Sequence, residues 1–181
     1  MKAKSFAGMR CSVAGALELI GDRWTMLVIR DLMFGISRYD DLRTGLGIPA
    51  ATLAARMRQL TDAGIVARTP YQQSPPRDEY RLTAKGRDLW MVVLALREWG
   101  DRWDASGFGA PSVETVDTDT DRPLQLALID VETQQPVPRR RARLRAGPGA
   151  DSQTHRLLNA GRNRQQALPP AADGQPLDAQ G

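Results

Sequence analysis

The stretch from Ser37 to Thr83, SRYDDLRTGLGIPAATLAARMRQLTDAGIVARTPYQQSPPRDEYRLT, decides the fold. It reads as a short helix, a turn, a second helix, then two strands joined by a basic loop. Ser37 to Asp40 has the capping-box pattern, an acid three residues after a serine, and predicts a helix start. Tyr39, Leu42 and Leu46 point inward from that helix, and Thr44 to Gly47 makes the turn. Pro49 suits the first position of the second helix, where its missing N–H has no intrahelical partner anyway. Leu53, Met57 and Leu60 recur at i, i+4 and i+7, the spacing of a buried stripe. Gly64 ends that helix. Ile65 to Tyr71 and Asp78 to Leu82 read as strands, and Ser74-Pro75-Pro76 marks the loop from Gln72 to Arg77. A helix pair followed by a basic hairpin can put one helix in a DNA groove and a wing on the backbone.

Upstream, Cys11 to Ile20 predicts a short helix with Val13, Ala16, Leu17 and Ile20 on one face. Gly21-Asp22 breaks it, and Asp22 can cap the helix Arg23 to Phe34, which Gly35 ends. Downstream, Thr83 can cap a long helix from Ala84 to Trp103. Its stripe of Leu89, Val92, Val93, Leu96, Trp99 and Trp103 is broad enough to belong to a partner surface. The expected organisation is a DNA-binding and dimerisation domain over 9–104, a linker over 105–123, a small appendage over 124–159 and a disordered tail over 160–181. In the appendage, Leu124 to Val131 and Val137 to Arg145 can pair as a hairpin, and Asp151 to Asn159 reads as a short helix. The fold class is therefore mainly α with a small β-hairpin wing, plus a hairpin-like C-terminal appendage.

The 181 residues carry 25 Lys+Arg against 21 Asp+Glu, a net charge of +4, which favours an anionic partner. From Ser37 to Arg87 the cations Arg38, Arg43, Arg56, Arg58, Arg68, Arg77, Arg81, Lys85 and Arg87 outnumber Asp40, Asp41, Asp62, Asp78 and Glu79. A single cysteine, Cys11, excludes an internal disulfide and a multi-cysteine zinc site. A single histidine, His155, in a polar region argues against triad chemistry, so no enzyme activity, metal or cofactor is expected. No apolar run of about eighteen residues predicts a membrane span, and the N-terminus lacks a signal-peptide core, so a cytoplasmic address is expected.

Residues at fixed spacing carry a family resemblance over about 9–103. They are Cys11, Leu19 to Trp24, Leu32 and Gly35, then Arg38-Tyr39 with Leu42. Leu53 with Arg56, Leu60, Gly64 and Ile65 follows, then Tyr71, Pro76, Glu79-Tyr80, Leu82-Thr83 and Gly86. The chain resembles an HxlR-type winged-helix transcription regulator, a relative of the MarR type. The resemblance implies a homodimer, built from the N- and C-terminal helices, on a pseudo-palindromic DNA operator.

A recognition helix meets bases through its N-terminal exposed positions. Here these are Pro49, Ala50, Ala51, Thr52, Ala55, Arg56 and Arg58. Ala51, Thr52 and Ala55 are the expected base contacts, with Arg56 or Arg58 the strongest polar one. An ion pair of Arg56 with Asp40 or Asp41 is the structural alternative. Relatives place polar residues at this helix start, and Pro49-Ala50-Ala51 departs from them. Alanine methyls can still meet thymine methyls. Phosphate contacts are expected from Ser37, Arg38, Arg68, Arg77 and Arg81, with Pro75-Pro76 stiffening the wing. Leu89, Val93, Leu96, Trp99 and Trp103 are the expected dimer interface. Cys11 reads either as a small apolar residue near that interface or, by the resemblance, as a redox or electrophile switch with an unidentified inducer. Arg139 to Arg141, Arg143 and Arg145 form a basic run, either a solvated face or an added attraction for DNA. The alternative function is a winged helix for protein–protein contact without specific DNA binding, which the alanine-rich helix face favours.

Overall fold

A computed structural model describes residues 5–74 and 76–167, without the side chains of 76 and 162–167. The chain divides into two compact units, Met1–Leu94 and Ala95–Gly181.

The first unit opens with α1 (Ser12–Ile20) and α2 (Arg23–Met33). The break between them follows from Asp22, whose carboxylate accepts hydrogen bonds from the N–H groups of Trp24 at 2.9 Å and Thr25 at 3.3 Å. Gly35, at φ +88°, turns the chain after α2. Next come α3 (Tyr39–Leu46) and α4 (Ala50–Asp62), joined through Gly47 at φ +61° and the buried Ile48. Strands β1 (Val66–Gln73) and β2 (Pro76–Leu82) pair antiparallel from Val66↔Leu82 to Gln73↔Pro76. A bulge falls between Pro70 and Gln72. The core gathers Ile20 from α1, Val28, Ile29 and Leu32 from α2, and Leu42 from α3. Ile48 before α4, Leu53, Met57 and Leu60 of α4, and Ile65 and Val66 at the start of the hairpin complete it. The helix-turn-helix and the wing thus share one core, and that sharing fixes the wing against α4.

Several local expectations need correction. Ser37 does not cap α3: the N-cap is Arg38, without a side-chain hydrogen bond, and the Ser37 carbonyl instead accepts the Tyr80 N–H at 2.8 Å. The wing thereby claims the residue that the capping box needed. Pro49 is the N-cap of α4 and not its first helical residue. The strands extend to Gln73 and Pro76, shortening the expected loop; Pro76 opens its strand, where no inward N–H is missed. Pro75 lies outside the described residues.

The expected long helix is two: α5 (Ala84–Arg87) and α6 (Trp90–Arg102). The Leu89 N–H bonds the Gly86 carbonyl, three residues back rather than four, which tightens the chain there and turns Leu89 onto the core. Thr83 caps α5 as expected, accepting from the Gly86 N–H at 3.2 Å while its hydroxyl donates to the Gly64 carbonyl at 2.7 Å. Gly86 is buried, and a Cβ there would overlap the Ile65 carbonyl. On α1, Val13 and Leu17 face solvent, and only Ala14 and Ile20 are buried.

The second unit has a different character. Among its described residues none is buried. Hydrogen bonds organise it: Arg97 donates to the Val113 carbonyl at 2.6 Å and to Thr115 Oγ1 at 2.9 Å, and the Leu126 N–H reaches Glu98 at 2.7 Å. The segment read as a linker contains an ordered turn in which Asp117 accepts from Asp119 N–H and from the N–H and hydroxyl of Thr120. The expected hairpin contracts to β3 (Leu128–Ile129) against β4 (Pro136–Val137), with Arg139–Arg141 in a single 3-10 turn beyond it. The helix expected over Asp151 to Asn159 is α7 (Ser152–Ala167), so it runs into the span read as tail; residues 168–181 lie outside the described ones.

Candidate nucleic-acid interface

Three side chains set the position of α4. Leu53, Met57 and Leu60 are buried and leave the opposite side to solvent. Tyr39, at the start of α3, donates its hydroxyl to the Ala50 carbonyl at 2.8 Å and so latches the first turn of α4. Toward the other end of α4, Gln59 Nε2 donates to the carbonyls of Leu19 at 3.1 Å and Glu18 at 3.3 Å, the last turn of α1. These carbonyls lack intrahelical partners, so the bonds satisfy groups that a helix end leaves open.

On the solvent side of α4, Ala50, Ala51, Ala55 and Arg58 are exposed and Thr52 is half-buried, with Pro49 exposed just before them. Arg56 is different. Its guanidinium donates to Gln59 Oε1 at 2.8 Å, and its Nε stands 3.6 Å from the Asp22 carboxylate. The side chain is only 27% exposed. The expected ion-pair partners, Asp40 and Asp41, are replaced by the residue that caps α2. Arg56 therefore ties α4 to the α1–α2 corner, and Arg58 is left as the exposed arginine of α4.

Two of the wing's cations, Arg68 and Arg81, are partnered with the wing's own acids. Arg68 meets Asp78 at 2.5 Å, and that carboxylate, by hydrogen bond and charge, holds the guanidinium pKa above its ordinary value. Arg81 meets Glu79 at 3.2 Å. Arg38 reaches the same Glu79 at 3.8 Å and lies over the Tyr71 ring at 5.0 Å. The bulge at Pro70–Gln72 carries Tyr71 and re-aims it toward Arg38. A backbone bridge pairs Arg38 with Glu79, so this corner fixes the hairpin to the start of α3. Arg77 is exposed on β2. Exposed ion pairs of this kind contribute about 0–1 kcal/mol each, so phosphate can exchange for the acids at little cost.

The residues expected at the DNA thus fall into two groups. Pro49, Ala50, Ala51, Ala55, Arg58, Arg68, Arg77 and Arg81 are exposed, at and on α4 and on the wing, with Thr52 half-buried among them. Ser37 and Arg56 hold the fold, and Arg38 does so in part. Sequence reasoning missed Tyr39 as a latch and Gln59 as a tether; the adjoining Arg56 and Gln59, three apart on one helix face, were the available signal. Of the expected dimer residues, Leu96, Trp99 and Trp103 are exposed, but Leu89 and Val93 pack against the first unit's own core. Cys11 is exposed at the N-cap of α1. Among the described residues no cluster of His, Cys, Asp and Glu could hold a metal ion, and no helix is long and apolar enough to cross a membrane.

The HxlR-like helix-turn-helix family profile matches residues 19–107, the span from the end of α1 through the wing and α6. An uncharacterised HTH-type transcriptional regulator of Mycobacterium bovis is 46% identical over 100 residues, covering 55% of this chain and 63% of that protein. The chain thus spans less than two thirds of this relative's length. A counterpart in Synechocystis is 38% identical over 97 residues, covering 53% of this chain and 72% of that protein. Among solved structures, PA1607, described as a candidate transcription factor, aligns with a TM-score of 0.66 at 33% identity. The alignment takes in 80% of this chain and 100% of that one. PA1374 from Pseudomonas aeruginosa, also a candidate transcription factor, gives 0.58 at 34%, over 82% and 100%. The two helices, the latch between them and the wing coincide with the span the profile matches, and the chain belongs to the HxlR-like helix-turn-helix family.

Proposed function

We propose that this protein is a transcriptional regulator that binds a pseudo-palindromic DNA operator as a homodimer. The observation that carries the reading is the exposed ridge of Ala51, Ala55 and Arg58 on a helix clamped at both ends, beside a wing bearing Arg68, Arg77 and Arg81. The ridge enters the major groove. Its methyls meet thymine methyls, and Arg58 supplies the polar base contact. Arg68 and Arg81 exchange their carboxylate partners for phosphates, and Arg77 reaches phosphate from the exposed strand.

Dimerisation supplies the second recognition helix. Val13 and Leu17 on α1 and Leu96, Trp99 and Trp103 on α6 are exposed apolar side chains suited to a partner copy. Cys11, exposed at the start of α1, is the residue through which an oxidant or electrophile acts on that dimer. Identical loss of DNA binding in Cys11→Ser and the unsubstituted protein on oxidation ends this part of the reading.

The test is selection of bound duplexes from genomic fragments, then affinity as a function of salt. With about six phosphate contacts, log affinity falls against log salt with a slope near −5. A flat response overturns the reading in favour of a protein-binding winged helix.

A further inference from the structure

Charge in the second unit is sorted along the chain. Glu98 to Glu132 carries nine acids against Arg102 and Arg122, whereas Thr133 to Gly161 carries six arginines against the single acid Asp151. Five of those arginines are the run Arg139, Arg140, Arg141, Arg143 and Arg145, every one of them exposed. Asp151 sits at the start of α7, where it accepts the Thr154 N–H at 2.8 Å and the Thr154 hydroxyl at 2.9 Å. We infer that the run is a second DNA contact, which holds the phosphate backbone and reads no sequence. The inference deepens the DNA-binding reading above and rests on it; the site it adds lies outside the winged helix.

The run differs from the wing in what its arginines already hold. Arg68 and Arg81 each stand against a carboxylate, which a phosphate must displace. Among the described residues, none of the five arginines of the run is in an ion pair or lies over an aromatic ring. The backbone presents them outward. Pro138, extended at φ −65° and ψ 141°, leads into the 3-10 turn Arg139–Arg141. That turn is closed by the Arg141 N–H on the Pro138 carbonyl and the Ala142 N–H on the Arg139 carbonyl. With three residues per turn, the three side chains fan about its axis. The chain leaves extended at Ala142 and carries Arg143 and Arg145 outside any helix or strand.

A guanidinium fork pairs with phosphate oxygens through two parallel N–H bonds. A lone phosphate answers one or two such forks. A duplex presents one charge per about 1.7 Å of its axis, meets the run along its length and releases condensed counterions as it does so. The other partner of opposite charge is the acidic stretch of a second copy. Its carboxylates are engaged in turns of their own segment. Glu98 accepts the Leu126 N–H and Asp104 the Gly109 N–H. Asp117 accepts from Asp119 and Thr120, and Asp130 from Glu132 and Thr133. Held at these turns, the carboxylates cannot follow five fanned arginines, so a phosphate backbone is the better fit.

The experiment measures affinity of the full chain for labelled duplex across a range of salt, with the duplex selected above and a scrambled one of equal length. It compares the unsubstituted protein with a variant carrying Arg139→Gln, Arg140→Gln, Arg141→Gln, Arg143→Gln and Arg145→Gln together. If each of two copies brings the run to two phosphates, the slope of log affinity against log salt is steeper by about 3–4 in the unsubstituted protein. Its advantage over the variant then shrinks by about a hundredfold between about 50 and 200 mM salt. The loss should be equal for both duplexes, leaving the ratio between them unchanged. Arg139→Lys with the matching change at the other four positions keeps the charge and should restore the steep slope. Equal slopes and affinities for the unsubstituted protein and the glutamine variant overturn the inference while a preference for the selected duplex keeps the regulator reading. Equal slopes with a lower sedimentation mass of the glutamine variant also overturn it, and assign the run to the acidic stretch of a second copy. Salt-dependent binding that ignores sequence and falls in the glutamine variant leaves the run standing and removes the regulator reading.

Discussion

Arg56 and Arg58 stand two positions apart on α4 and have different tasks. Arg56→Ala strips the Asp22 cap of its ion pair and Gln59 of a hydrogen bond, and is expected to lower stability by about 1 kcal/mol in urea unfolding. Arg58→Ala is expected to leave unfolding unchanged and to weaken DNA binding, by about 1–3 kcal/mol if it reads a base edge. The reverse assignment of the two effects contradicts the geometry. Gly86→Ala forces a Cβ against the Ile65 carbonyl, a backbone atom that cannot turn aside, and should cost about 1–3 kcal/mol. The roles of Arg56 and Arg58 were not separable in the sequence. Both fall on the polar side of the helical repeat, and the partner that distinguishes them, Asp22, is far upstream. Gly86 was legible as part of a motif, but its reason, the approach of the Ile65 carbonyl, is tertiary.

Elements whose signals were local read well. The apolar repeat of α4 and the Asp22 cap of α2 needed only neighbours in sequence, and both are present. Elements shaped by long-range bonds did not. The Ser37 cap lost to the wing's Tyr80, and the helix from Ala84 broke where Leu89 turns onto the core. The candidate site divides the same way: the exposed alanines of α4 follow from periodicity, whereas the latch from Tyr39 and the bulge that brings Tyr71 to Arg38 follow from pairing between elements.

Acid should act on particular turns. The Glu18 carboxyl lies below its ordinary value, first because the Phe6 N–H bonds it and then because the Ser5 hydroxyl does. Asp117 and Asp130 are lowered by hydrogen bonds from Thr120 and Thr133, and from Asp119 and Glu132. A folded value below the unfolded one means stabilisation present above about pH 4 and lost as pH falls through the folded value. The protection of the Phe6, Thr120 and Thr133 amides, corrected for the intrinsic exchange rate, should therefore fall below about pH 4 before that of α4 does; a uniform fall contradicts the assignment.

For the whole molecule, the homodimer proposed above requires its two recognition helices to meet successive major grooves about 34 Å apart. Trp99→Lys on the exposed side of α6 is expected to yield folded monomers by sedimentation, with DNA affinity lower by about a hundredfold as the second half-site is lost. A dimer that survives this change places the interface elsewhere. The second unit, without a buried residue among those described, depends on hydrogen bonds such as Arg97 to Val113 and Glu98 to Leu126. Its amides should exchange faster than those of the first unit's core. Its organisation was the least legible part of the chain, because aspartate turns and arginine-to-carbonyl bonds leave no periodic trace.

The bond between Ser37 and Tyr80 also has a meaning for how this chain can vary in length. It sets the passage from Phe34 to Ser37 in register with β2, so an inserted or deleted residue there slides Arg38 off Glu79 and dislocates the hairpin. Among the described residues, the far end of the same hairpin pairs across to its own opposite strand, with Gln72 bonded locally to the Ser74 carbonyl. Length variation among descendants of this sequence should accordingly collect at the hairpin tip and be purged from the short passage before α3.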